Sequence, residues 1–153
     1  MLFAVRVYDV ILWIHITAVV IAFGALFAYP IFLAVNARGP VGQRATLHRA
    51  QIAFSKRVTG PTIGIIFLAG AYLASDADVW GKAWVIAPFA LLLIIAGLGG
   101  TVLRRGEERL LATAEQGDEP GYGAALSGVM RWTWLVLLLV VVAIFIMAAK
   151  PFG

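Results

Sequence analysis

Residues 7–35 read VYDVILWIHITAVVIAFGALFAYPIFLAV. The run is apolar almost throughout and longer than the roughly 20 residues a helix needs to cross a bilayer. It lacks the alternation of a lipid-facing strand, so its backbone polar groups must be satisfied within a helix. One imidazole, His15, sits in its first half. An ionisable side chain at that depth is costly to bury without a partner or a task, which makes it a functional-site candidate.

The rest of the chain has the same character. Of 153 residues, 62% are hydrophobic and 13% charged, about half the charged fraction of an ordinary soluble domain. Further apolar runs at 58–75, 83–103 and 132–149 are each long enough to span. The fold expected is an all-α, integral membrane four-helix bundle in one domain over 1–153. The first run is too long for the core of a signal peptide, and the only basic residue ahead of it is Arg6, followed by Asp9, so it reads as an uncleaved span. No cysteine is present, which excludes disulfides, zinc–cysteine sites and thiol catalysis.

The basic residues fix an expected orientation. Arg38, Arg44, Arg49, Lys56 and Arg57 lie between the first two spans, and Arg104, Arg105, Arg109 and Arg131 between the last two. Positively charged connections stay on the cytoplasmic side. A multi-pass membrane protein with both termini outside is therefore expected. Trp13, Trp80 and Trp84 fit an outer aromatic belt, and Trp132 and Trp134 an inner one. With its cations in juxtamembrane loops, the chain is expected to partner the lipid bilayer and no nucleic acid. A small-residue face on the first helix offers a homo-oligomer contact, at Ala18 or Gly24.

Within the first connection, Arg38-Gly39-Pro40 breaks the helix. A basic helix follows from about Gln43, with Leu47, Ala50, Phe54 and Val58 on one face. It either lies on the surface or runs straight into the second span. Gly64, Gly70, Gly97 and Gly100 read as helix contacts, Pro88 as a kink, and Glu119-Pro120-Gly121 as the close of a short polar helix.

On a helical wheel His15 shares a face with Tyr8, Leu12, Ala18, Val19, Ala22, Leu26 and Tyr29. Three readings follow: a bond to a neighbouring helix or to Asp9, ligation of a metal or haem iron by the neutral ring, or a proton relay. His15, Ala18, Ala22 and Tyr29 are the candidate cofactor-binding residues, with His15 the candidate metal ligand. His48, the other histidine, reads as solvated or in contact with headgroups. His15 lies about 30 Å from the inner end of its span at helical rise, so the two imidazoles cannot share one iron within a subunit. A second ligand would have to be Met147, a second copy's His15, water, or nothing. No nucleophile has a histidine–acid pair beside it, and no phosphate loop or metalloprotease motif occurs.

The run His15-Ile16-Thr17 through Phe23-Gly24-Ala25-Leu26-Phe27 to Tyr29-Pro30-Ile31-Phe32, with Thr59-Gly60-Pro61 opening the second span, resembles the small membrane-bound, haem-containing protoporphyrinogen oxidases. The layout is similar, more loosely, to the membrane domain of copper-resistance protein D and to a bacterial family of predicted integral membrane proteins of unknown function. The resemblance to the oxidases implies a haem-ligand role for His15. Those enzymes also have a lysine and a histidine in their third helix, whereas Trp84 to Val102 contains neither. The expectation is a four-helix membrane protein binding haem, porphyrin or a metal through His15, or else an accessory protein in which His15 only pins helices together.

Overall fold

A computed structural model describes residues 6–151. All regular structure among the described residues is helical: α1 (Val7–Arg38), α2 (Val41–Phe54), α3 (Gly60–Asp76), α4 (Ala83–Leu98), α5 (Arg104–Gln116) and α6 (Glu119–Ala149). Two five-residue π-helical turns, Ser55–Thr59 and Gly99–Leu103, join α2 to α3 and α4 to α5 without a break. The chain thus forms four antiparallel rods, each containing a helix long and apolar enough to cross a membrane.

Local chemistry sets the rod ends. At the start of α1, the Arg6 N–H donates to Asp9 Oδ2 (3.1 Å). Pro40 follows Gly39 at the other end and cannot continue the ladder. Gly117 ends α5 in the left-handed region, φ 70°, which a residue without a Cβ adopts at no steric cost. Asp118 then caps α6 by accepting from the Gly121 N–H (3.0 Å), and Pro120 fills the first turn. Glu119-Pro120-Gly121 therefore opens the last rod, and the expected closure of a polar helix there is corrected. Proline suits a first turn, where its missing N–H would have no intrahelical partner.

The rods change partners along their length. Next to the termini, α1 packs on α3 and α4 on α6, whereas beyond the π turns α2 packs on α5 and α5 on α6. Ala18, Ala22, Phe23, Ile66, Ile95, Val136 and Val140 form the core of the first region. Tyr29, Leu33, Ala45, Leu110, Tyr122 and Val129 form the core of the second. Large apolar side chains also point outward: Val20, Leu68, Leu93 and Leu138 are 59–70% exposed. An all-apolar exterior is what lipid contact requires and what a water-soluble surface avoids. The basic helix α2 runs directly into the second span, but its buried face is Ala45 and His48, not the expected Leu47/Ala50 face; Ala50 is exposed.

Glycine has two different roles. A Cβ at Gly70 would stand 3.3 Å from His15 Cε1, so that residue is a helix contact as expected. At Gly64, Gly97 and Gly100 an added Cβ would meet nothing within 4 Å, so these three are not contacts within the bundle. Of the two small residues expected at a contact between copies, Ala18 is buried in the core and Gly24 is exposed. Gly106 is the contact that periodicity missed: an added Cβ would collide with the Val129 side chain on α6. Valine is stiff at χ1 and cannot swing aside cheaply. Gly106→Ala is expected to destabilise the protein by about 1–3 kcal/mol, read as a lower unfolding midpoint in detergent. Gly97→Ala, which meets nothing and gains helix propensity, should not lower the midpoint.

Candidate functional site

The chemistry-bearing side chains converge at the end of the bundle away from the termini. His48 comes from α2, Glu107 from α5, Tyr122 from α6 and Asn36 from the end of α1. His48 is fully buried, and Glu107 and Tyr122 are only 5% and 3% exposed. His48 Nδ1 lies 2.9 Å from Glu107 Oε2, and His48 Nε2 lies 3.0 Å from the Tyr122 hydroxyl. Asn36 Nδ2 donates to the Arg44 carbonyl (3.2 Å) and sits 3.5 Å from the Tyr122 hydroxyl. The Arg44 guanidinium covers the Tyr122 ring at 5.1 Å and pairs with Glu119 at 2.7 Å.

These groups lie beyond the apolar runs, which end at 35 and 103 and begin at 58 and 132. Helix packing removes their water. Burial pushes the Glu107 carboxyl up to about 8 and the His48 imidazole down to about 4. Near neutral pH the pair is therefore a carboxylic acid beside a neutral ring. A proton on Glu107 Oε2 donates to His48 Nδ1, which leaves Nε2–H to donate to Tyr122. The expectation that His48 is solvated is thus corrected. The α2 face that carries it packs on α5, and Glu107 supplies the partner that makes burial tolerable.

Two buried polar atoms in the described residues have no protein partner: Glu107 Oε1 and the Tyr29 hydroxyl. Both residues line the same cavity, of about 100 Å³. Its inner wall is apolar, with Ala22, Phe23, Leu26, Ile63 and Ile95. Both π turns contribute to it, through Ser55, Lys56 and Thr59 on one side and Gly99 and Leu103 on the other. Such turns occur disproportionately at functional sites. Its exposed members are Ser55, Lys56 and Arg104, which form a polar opening, and Ala25 on α1.

His15 has different surroundings. Its Nδ1 lies 3.2 Å from the Ile66 carbonyl of α3, so Nδ1–H donates across the α1–α3 contact. Asp9 is engaged with Arg6 instead. The ring rests against Gly70, whose missing Cβ admits it. Ala18 and Ala22 belong to the packed apolar core. Tyr29 is 14 residues further along α1, about 21 Å at 1.5 Å per residue. Ala22 and Tyr29 thus share the cavity wall, while His15 and Ala18 do not line it. Met147 is 38% exposed, on the outside of the bundle.

Sequence periodicity held a signal for the part that was missed. Glu107, Leu110 and Ala114 follow helical spacing and are the buried face of α5, so Glu107 stands where that stripe calls for an apolar residue. The polarity of the surrounding GEERLLATAEQ conceals it.

Four long rods with an apolar exterior, closed at one end by a buried carboxyl, imidazole and phenol, define a multi-pass helical membrane protein with an internal polar site. A family model described as "Predicted integral membrane protein (DUF2269)" matches residues 9–151, nearly the whole chain, and the protein belongs to that family. No curated protein and no solved structure matches it.

The buried pair gives stability a defined pH dependence. Glu107 holds its proton more tightly folded than unfolded, so its contribution falls as pH rises from 4.5 to about 8. His48 resists protonation when folded, so its contribution falls as pH drops from 6.5 to about 4. Thermal stability in detergent is expected to peak between 4.5 and 6.5 and to decline towards pH 8. Glu107→Gln, whose amide can still donate to His48 Nδ1, should abolish the alkaline decline. An unchanged alkaline slope in that variant would assign the ionisation to another group.

Proposed function

We propose that this protein binds the polar part of a membrane-borne ligand in the cavity between Tyr29 and Glu107. One observation carries the reading: the two residues that each hold a buried polar atom without a protein partner, Tyr29 and Glu107, line one cavity. An orphaned buried polar group costs about 1–3 kcal/mol. Two on residues of one cavity are best accounted for by an occupant that hydrogen-bonds to both. The volume is below the roughly 300 Å³ at which pockets enclose drug-sized molecules. The cavity accordingly takes a head or fragment, while the remainder of the ligand stays in the membrane.

A second reading gives His15 the ligand role that its resemblance to haem-containing oxidases implies. The bond from Nδ1–H to Ile66 O supports it, because it fixes the tautomer and leaves the Nε2 lone pair available. Native mass spectrometry of protein purified in mild detergent separates the readings. The cavity reading expects a small-molecule or lipid adduct that is lost in Tyr29→Phe with no fall in thermal stability. The His15 reading expects a haem-mass adduct and a Soret band, both lost in His15→Ala. Protein free of any adduct, and unable to acquire one from membrane extract, overturns the cavity reading.

We also place the protein in a bacterial inner (plasma) membrane, as its resemblance to a bacterial membrane family implies, with the polar cluster on the cytoplasmic side and both termini outside. The concentration of arginine and lysine at 38–57 and 104–131 supports that orientation. A chain without cysteine lends itself to the test. In intact cells an impermeant maleimide should label Ala77→Cys and spare Gln116→Cys; the reverse pattern inverts the topology.

A further inference from the structure

The cavity's chemistry specifies its occupant more narrowly. With Glu107 Oε2 committed to His48, Oε1 is left as an acceptor and requires a donor. The Tyr29 hydroxyl can accept or donate. Neither group suits a bare anion held alone, and the cations Lys56 and Arg104 at the open side disfavour an amine. A hydroxyl satisfies both atoms. Lys56 forms no ion pair among the described residues, and Arg104 gives only its Nε to Glu108 (3.0 Å). Both cations therefore retain donors for an anion at the opening. A second, shallower concavity shares Ile52 and Lys56 with the cavity and adds Arg49 and Arg57 to the same basic rim.

Position agrees with chemistry. The π turns that line the cavity include residues 58 and 103, where the apolar runs meet the charged segments. Headgroups lie at that level of a bilayer. The cavity has room for several waters or a few heavy atoms, which suits a glycerol head and excludes acyl chains.

We infer that the cavity receives the headgroup of an anionic, hydroxyl-terminated phospholipid of the phosphatidylglycerol class, with its hydroxyls on Glu107 and Tyr29 and its phosphate between Lys56 and Arg104. The inference rests on the cavity being a ligand site. The glycerol enters between the second and third rods, and the phosphodiester stops at the two cations. The acyl chains remain against the outer apolar surface.

Three defined lipids test it on delipidated full-length protein, with retention read by native mass spectrometry. Phosphatidylglycerol carries phosphate and hydroxyls, phosphatidylmethanol the phosphate alone, and diacylglycerol a hydroxyl alone. Phosphatidylglycerol should be retained about tenfold better than either, the factor expected from one buried hydrogen bond or charge contact. Tyr29→Phe, which removes only an unpartnered hydroxyl, should lower phosphatidylglycerol towards the level of phosphatidylmethanol and leave phosphatidylmethanol unchanged. Lys56→Gln with Arg104→Gln should reduce it to the level of diacylglycerol. Equal retention of phosphatidylglycerol and phosphatidylmethanol by the wild type would overturn the inference, since lipid would then bind the basic rim and only water the cavity. If phosphatidylglycerol shows no preference while another co-purified molecule is lost in Tyr29→Phe, the lipid class falls and the ligand site stands. If nothing depends on Tyr29, both fall.

Discussion

The contact between the Glu107 carboxyl and the His48 ring, 2.9 Å apart with both side chains out of water, is what the charged end of this molecule is built around. Removing a full charge from water costs several kcal/mol per ion even after relaxation. A neutral hydrogen bond in the same place is favourable by about 1 kcal/mol. Neutrality is thus what allows α2 and α5, otherwise rich in charge, to bury a common face. Charge is kept to the periphery, where Arg44 meets Glu119 and Arg49 meets Glu115. The Arg49–Glu115 pair is exposed and contributes little energy, but the two pairs join α2 to α6 and α5, the helices that carry Tyr122 and Glu107.

The two ends of the bundle are held together by different physics. Among lipid tails, helices gain nothing from hiding apolar surface, and close van der Waals fit with occasional hydrogen bonds must suffice. The α1–α3 contact shows both, in the His15 ring seated on Gly70 and its bond to the Ile66 carbonyl. At the other end the helices emerge from hydrocarbon, and side-chain hydrogen bonds and ion pairs become selective. The cavity lies at the junction, where neither mode of packing is complete.

The spans and helical class were legible because a run such as 7–35 permits one solution in a membrane. The inward face of α1 was legible too: none of Tyr8, Leu12, His15, Ala18, Val19, Ala22, Leu26 and Tyr29 is exposed. The polar cluster was not, for a reason of length. Its members are 12, 59 and 74 positions apart, counting from His48 to Asn36, Glu107 and Tyr122, and only folding brings them together. Polar segments between spans look like solvated connections, so Glu107 was hidden among exposed neighbours such as Glu108 and Arg109. Nor does any residue pattern announce a π turn at Ser55 or Gly99.

Those turns have a bearing on how this chain could change over time. Each residue advances an α-helix by about 100°, and a π turn accommodates an extra residue without breaking the rod. It therefore keeps the faces of the two flanking helices nearly in phase despite that residue. Loss of one residue from 55–59 would convert the wide turn to regular winding with little rotation. Loss of a residue from the regular winding between His48 and Ser55 would instead rotate the start of α2 by about 100° relative to α3. His48 would then point away from Glu107 while Gly70 still faced His15. The π turns are thus the places where a change of length is absorbed, and elsewhere in the rods it changes the site all at once. Outside the turn, chain length between His48 and Gly70 is a stricter constraint on this architecture than the identity of most residues there.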